Sequence, residues 1–416
     1  MLPRQLLTIL HTMADTKEPT YIRVGTDYYL KDSVPSITGK TKEMLIKWNK
    51  ATIIDDHKKE YLQQINCYKA FCTIPSHTNY QPVIHMCYNR YHKLSHVLKE
   101  GNIPYTTRFL KHIFNDQYSL AIDYFGILWK HPNQILPILS LVSTERNTGK
   151  TTFLNWLKAV FEANMTINKN EDFRSQFNSD WADKLIVGID EVLLDKKEDS
   201  ELLKSLSTAR HFKSESKGND KREIDFFGKF ILCSNNEDTF VKIDPEEIRY
   251  WVVKVPRLED DDPLLLDKLI EEIPHFLYHI DKRGIVSQKR TRMWFTKEQI
   301  WTEALDVLKK GNKTFVEKQL IETIEDELDK FDVKEIKYSI GDLIDLMNKN
   351  NLRISGFQIT KLLKEKWNMQ SKNTTYKKYY LVDSSMDNKP MSNYTNDKGR
   401  VFTFSKEILQ HIRINF

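Results

Sequence analysis

The chain has 416 residues, 40% hydrophobic and 29% charged, which is enough apolar material for two or three ordinary cores and too much for a disordered tail. Its formal net charge of +5 is modest at this length, so bulk attraction to a polyanion is excluded and any nucleic-acid contact must come from local patches. Four cysteines are too few for a disulfide framework, which suits a reducing compartment, and the longest uncharged apolar stretch, near residues 135–142, falls far short of the ~20 residues a membrane span needs.

Met1 to His11 holds a short apolar run without a cleavage site and reads as a mature cytoplasmic start. Within residues 1–104, β-branched and aromatic runs at Tyr21–Gly25 and Asp27–Leu30 suggest strands, whereas Met44–Trp48 and Lys59–Ile65 suggest helices, giving an α+β accessory region. From Thr106 the pattern is amphipathic helix, with Phe109, Ile113, Leu120, Ile122, Phe125 and Leu128 placed to cover one side of a core. Between Leu136 and Pro256 apolar runs alternate with helical stretches, the mark of a sheet covered on both faces, and residues 105–262 form one domain on this reading. A helical connector follows over 263–330, with helices expected at Leu265–Phe276 and Lys297–Lys310, and a compact basic unit fills 331–416.

The informative run is Leu139 to Thr152: a buried strand, a polar turn (Ser143-Thr-Glu145-Arg146-Asn147-Thr148-Gly149) and a helix starting Lys150-Thr151-Thr152, with Phe153, Leu154, Leu157 and Phe161 on one face. Such a P-loop wraps the amides of residues 145–152 around a β-phosphate, points a helix N-terminus at the anion, brings Lys150 to the β and γ oxygens and gives Thr151 to Mg2+. Thr144 stands where the pattern has its first glycine, so the start of the loop must suit a β-branched residue, which avoids positive φ.

About forty residues on, Lys184-Leu-Ile-Val-Gly-Ile-Asp190-Glu191 is an apolar strand ending in two carboxylates, the form of a Walker B segment. Asp190 is the candidate for the Mg2+ shell and Glu191 for polarising the attacking water. A third strand, Gly228 to Ser234, ends in Asn235, a candidate for orienting that water.

Together these phrases, with Phe177-Asn-Ser-Asp-Trp181, Lys217-Gly218 and Glu247-Ile-Arg-Tyr-Trp251, resemble the core of superfamily 3 helicases, especially the helicase part of phage and plasmid primase-helicases, over residues 105–256. The resemblance implies an α/β fold with an AAA+-like, three-layer P-loop ATPase core, ATP and Mg2+ as cofactors, and a ring of identical subunits, commonly a hexamer, that draws single-stranded or forked DNA through its channel. It also implies that Arg249 reaches a neighbour's ATP as an arginine finger, and that the stretch around Gly218-Asn-Asp220 is a channel hairpin whose Lys217, Lys221 and Arg222 touch the DNA backbone. The role so implied is ATP-driven unwinding in replication of a phage or other mobile element, alongside separate primase or replication proteins, in the host cytoplasm and away from membranes.

Residues 331–382 hold ten Lys or Arg against five Asp or Glu, an excess as large as that of the whole chain. Their order resembles a winged helix: helices at Ile340–Asn350 and Ser355–Trp367, then strands at Tyr376–Val382 and Val401–Phe404, with Lys361, Lys364 and Lys366 on the recognition helix and Lys377 and Lys378 on the wing facing DNA phosphates. Cys67, Cys72, His92 and His96 have finger-like end spacings, but the middle gap is too long for zinc. Two rival readings are an ATP-controlled DNA-binding initiator or switch ATPase that never translocates, separable by strand-displacement assay, and an interaction module with a lapsed site, in which nucleotide binding ignores Lys150→Ala.

Overall fold

The structure, a computed structural model, describes residues 20–35, 41–175, 178–194, 196–215, 222–243, 247–382 and 391–415. The chain divides into two compact units, one formed by residues 1–242 and 247–305 and the other by 243–246 and 306–416. The apolar start expected at Met1–His11 lies outside the described residues. No helix among the described residues is long and apolar enough to cross a membrane.

Unit 1 begins with strands β1 (Thr20–Val24), β2 (Asp27–Pro35) and β3 (Thr41–Trp48), helix α1 (Lys50–His57) and strand β4 (Asn66–Tyr68), in a sheet ordered β3-β2-β1-β4. Met44–Trp48 is therefore strand and not helix, because β3 pairs antiparallel with β2 along its whole length. In so short a run that pairing outweighs local preference. Short strands β5 (Ala70–Cys72), β6 (Val83–Ile84) and β7 (Cys87–Asn89) follow. Of the finger-spaced residues, His96 places its Nε2 2.9 Å from the Ala159 carbonyl oxygen, and no metal-ligating cluster is found among the described residues.

Helices α2 (Pro104–Phe114) and α3 (Tyr118–Lys130) are separated by a tight turn at Asn115, whose φ of 46° breaks the continuous helix expected there. They lead into the segment that builds the principal sheet: β8 (Ile138–Val142), α4 (Lys150–Phe161), β9 (Met165–Asn168), α5 (Asn170–Arg174), β10 (Ile186–Ile189), α6 (Lys197–Leu206), β11 (His211–Ser214) and β12 (Arg222–Asp225), which form a separate two-stranded sheet, then β13 (Lys229–Ser234) and β14 (Tyr250–Lys254). The order β14-β8-β13-β10-β9 is parallel throughout, so all five strands end at one edge. Their buried, β-branched runs need cover on both faces. Part of that cover is an aromatic layer in which Phe114, from α2, lies 5.7 Å from Phe153 of α4 and 5.4 Å from Trp251 of β14. Each such ring contributes about 1.5–3 kcal/mol by leaving water. At Gly188 of β10 a Cβ would meet Leu154 and Met165 at 3.2 Å, so α4 packs closely only because no side chain is there. Helices α7 (Leu265–Glu271) and α8 (Ile273–Lys282) follow.

The next helix, α9 (Glu303–Lys330), starts later than the Lys297 expected, since the hydroxyls of Thr296 and Thr302 accept from Gln299 N–H and Leu305 N–H and hold the chain in turns first. Unit 2 then runs β15 (Glu335–Ser339), α10 (Ile340–Lys349), α11 (Gly356–Lys361), β16 (Lys372–Val382), β17 (Met391–Ser405) and α12 (Lys406–Asn415), with an antiparallel sheet ordered β15-β17-β16. Both middle helices open with reciprocal caps, Ser339 with Asp342 and Ser355 with Gln358. A π-helical turn over Leu362–Lys366 closes α11. The core holds Leu343, Met347, Ile359, Leu363, Trp367 and Phe404.

Candidate functional site

Strands β8, β13 and β10 are neighbours, and the chain leaves each of them at the same edge with the residues singled out above. Ser143 to Gly149 follow β8, Asn235 follows β13, and Asp190 and Glu191 follow β10. Carboxyl ends of parallel strands are where open α/β sheets offer a crevice to ligands.

The turn after β8 is shaped by backbone, not by its absent glycine. Positive φ falls on Asn147 (56°) and Gly149 (87°), and not on Thr144, which explains how a β-branched residue fits the start of the loop. At Gly149 a Cβ would also stand 3.0 Å from the Phe109 ring of α2. Leu258 N–H donates to the Asn147 carbonyl at 2.9 Å, and the His112 Nε2 lies 3.1 Å from that of Thr148, so both flanks of the loop are held by its carbonyls. Its amides are spare: among the described residues, the backbone N–H groups of Arg146 through Thr152 donate to nothing. The side chains of Glu145, Arg146 and Asn147 are exposed.

The Lys150 ammonium is buried and turns back into this loop, donating to the Thr148 hydroxyl at 3.1 Å and reaching the Ser143 carbonyl at 3.5 Å. Burial lowers its pKa, against the opposing pull of Cys233, Asp190 and Glu237. The Thr151 hydroxyl donates to Asp190 Oδ2 at 3.1 Å, so two residues 39 apart in sequence share one spot. Glu191 follows at φ 52°, outside the strand, so its direction is set by this left-handed turn and not by strand alternation. Such a conformation in a bulky residue costs about 1 kcal/mol. Asn170 compensates by donating to the Glu191 carbonyl and accepting from Leu193 N–H. The Asn235 side chain is exposed, whereas Asn236 makes the turn by accepting from Asp238 and Thr239 amides.

Sequence reasoning missed Glu237. Its Oε1 accepts from Thr144 N–H at 3.1 Å and its Oε2 pairs with Lys254 at 2.9 Å, so a carboxylate braces the loop where the glycine is missing. Burial pushes its pKa up, but the bonds from Lys254 and Thr144 outweigh that and hold it below the usual carboxylate value. An acid in the turn beyond a strand carried no sequence signal.

Arg249 is elsewhere. It precedes β14, and its carbonyl accepts from Ile138 N–H at the start of β8, the opposite edge of the sheet. Its guanidinium grips both oxygens of Glu247 at 3.0 and 3.1 Å, and Glu247, itself buried, also lies 3.5 Å from Lys204 of α6. Among the expected DNA contacts, Arg222 opens β12 and is exposed, whereas Lys217 and Lys221 lie outside the described residues. The arms β11 and β12 pair from His211↔Asp225 to Ser214↔Arg222; Asn178 holds the far end of β11 by accepting from Glu215 N–H, and Trp181 stacks on Phe212 nearer the base at 5.5 Å.

In unit 2, Lys361 and Lys364 are exposed on α11 and the turn that closes it, and Lys377 lies 4.1 Å from the Tyr394 ring. Lys366 and Lys378 are instead tied to Glu317 and Asp342, which removes them from the set free to meet phosphates.

A family of unknown function (DUF5906) matches residues 141–249. No curated protein matches the sequence. Among solved structures, the chain resembles the apo NrS-1 C-terminal region (305–718) at TM-score 0.56 and 15% identity, covering 92% of this chain and 95% of that one. A second apo form of that region gives TM-score 0.55 and 14% identity over 93% and 96%. The likeness is one of fold.

Proposed function

We propose that the chain is an ATP-dependent DNA helicase of the superfamily 3 type, built on a P-loop, AAA+-like three-layer core with a C-terminal winged-helix-like domain. The observation that carries this reading is the run of spare amides from Arg146 to Thr152 beside the Thr151–Asp190 pair. Orphaned N–H groups at a helix start attract a phosphate chain, and a hydroxyl meeting a carboxylate is the donor set that suits Mg2+. Glu145 to Thr152 hold the triphosphate. Lys150, released from Thr148, neutralises its terminal oxygens. Thr151 and Asp190 hold the metal, which supplies charge neutralisation when bound. Glu191 takes a proton from the attacking water, and Asn235 orients it.

Arg249 sits at the far edge of its own sheet, so it serves a site only across a subunit boundary, after letting go of Glu247. This supports a ring, with six copies the expected number. Lys217, Lys221 and Arg222 grip the backbone of a strand in the channel, and Lys361, Lys364 and Lys377 hold DNA outside it. The setting proposed is replication of a phage or mobile element in the host cytoplasm, with a separate primase.

A complementation assay tests the shared site. Arg249→Ala and Lys150→Ala should each lose ATP turnover and unwinding, and mixing them should recover part of both, because one variant keeps the loop and the other keeps the guanidinium. An Arg249→Ala chain that hydrolyses ATP normally, or mixtures inert at every ratio, would overturn the trans arrangement.

A further inference from the structure

Helix α11 and the π-helical turn that closes it send Ile359 and Leu363 into the unit 2 core, whereas Phe357, Lys361 and Lys364 are exposed. Phe357 is 77% exposed, and no other aromatic side chain among the described residues is so open, Trp301 being next at 50%. A ring left in water at the start of a well-capped helix contributes nothing to folding there.

Further along, Thr360 of α11 and Lys364 of the turn after it line a cavity of about 330 Å3 that the start of α10 and β17 complete, with Ser371 and Arg400 also in its lining. Lys361, Lys364 and Arg400 make no ion pair among the described residues, and the acids nearest them in sequence, Glu365 and Asp397, make none with them. Lys366 and Lys378, one or two turns or strands away, are neutralised by Glu317 and Asp342. Lys361, Lys364 and Arg400 thus keep positive charge that no acid among the described residues pairs with.

An open π-face flanked by unpaired cations matches single-stranded nucleic acid, whose bases stack on aromatic side chains and whose phosphates attract Lys and Arg. A duplex buries its base faces and leaves the ring without a partner. We propose that the outward face of α11 is a binding site for single-stranded nucleic acid, in which Phe357 stacks on an unpaired base while Lys364 and Arg400 hold the adjoining phosphate in the cavity between them. This rests on the assignment of unit 2 to DNA and adds to it the form of the nucleic acid and the residue that selects that form.

The test uses the full chain without nucleotide, titrated with a single-stranded oligonucleotide carrying 2-aminopurine and with the same sequence as a blunt duplex. Phe357→Ala should bind the single strand about ten-fold more weakly and lose quenching of the probe, with duplex affinity kept. Phe357→Trp should restore both. Replacing Lys364 and Arg400 by Ala should lower the slope of log affinity against log salt by about 0.7 for each charge removed. Single-strand affinity unchanged in Phe357→Ala, or an equal loss on the duplex, overturns the stacking role. A salt slope that stays the same overturns the phosphate pocket. These titrations contain no nucleotide, so their outcome is independent of the Lys150 tests that decide the ATPase reading.

Discussion

The two edges of the unit 1 sheet each bury a lysine that meets only neutral oxygens. At the carboxyl edge, Lys150 donates to Thr148 and approaches the Ser143 carbonyl. At the amino edge, Lys229 starts β13 and donates to the carbonyls of Pro132 and Phe227. Their surroundings differ. Lys150 lies among spare amides with Asp190 and Glu237 pulling on its charge, whereas burial alone drives Lys229 down to about 7, and His77, stacked on Trp129 at 5.1 Å, is lowered to about 4 by burial and by Lys229 itself. A shifted lysine does not mark a functional site. What marks one is a shifted lysine whose neighbours still have hydrogen bonds to give.

The largest test of that contrast is Lys150→Ala. ATP turnover should fall about 10³-fold, the scale for losing one preorganised cation at a developing charge, while the melting temperature holds or rises because a poorly compensated buried ammonium is gone. Phosphate release and thermal melts measure the two effects. Turnover within ten-fold of the parent would make the carboxyl edge as structural as the other.

Lys229→Met should do the opposite, leaving turnover intact and changing stability. The ammonium is favoured in the unfolded chain up to its ordinary pKa of 10.5 but in the fold only below about 7. The unfolded state therefore binds more protons between those limits, and the parent should gain stability as pH rises from 7 to 10, by about 3 kcal/mol. Denaturant melts across that range should show the rise in the parent and a flat profile in Lys229→Met. A rise that survives the substitution would assign it to another group.

Glu247→Ala comes next. It releases Arg249 and leaves the buried Lys204 with Glu201, 3.2 Å away and itself exposed. The cost should be about 2 kcal/mol, less than for a fully buried pair because the guanidinium is partly open to water. Urea melts measure it, and a change below 0.5 kcal/mol, at the noise of about that size expected for surface substitutions, would show that the latch contributes little.

How far the sequence reaches follows from the same geometry. Strand and helix alternation from Leu136 to Pro256 and the apolar face of α4 were legible because each is set by residues close in sequence. Strand order was not, since β13 enters between β8 and β10 and so brings Asn235 and Glu237 beside a loop ninety residues earlier. The Glu247–Arg249 grip was open to reading at two residues' spacing, but nothing in the sequence said that Arg249 and Lys150 stand at opposite edges. At Met44–Trp48 the local pattern misled, because the deciding partner was β2.

The smallest expected effect probes the brace at the start of the loop. Glu237→Gln keeps an amide oxygen for Thr144 N–H and loses only the charge that holds Lys254, which is largely exposed, so at neutral pH the stability change should stay below about 1 kcal/mol. Because the folded carboxyl is held below its ordinary 4.5, the parent keeps that small advantage above pH 4.5 and loses it as the pH falls through the folded value, while the glutamine variant has none to lose. If the carboxylate positions the loop for phosphate, KM for ATP should rise a few-fold with kcat nearly kept, since the loop binds ground and transition states alike. Glu237→Ala, which removes the acceptor as well, should raise KM further, and equal KM in all three chains would show that Thr144 holds the loop unaided.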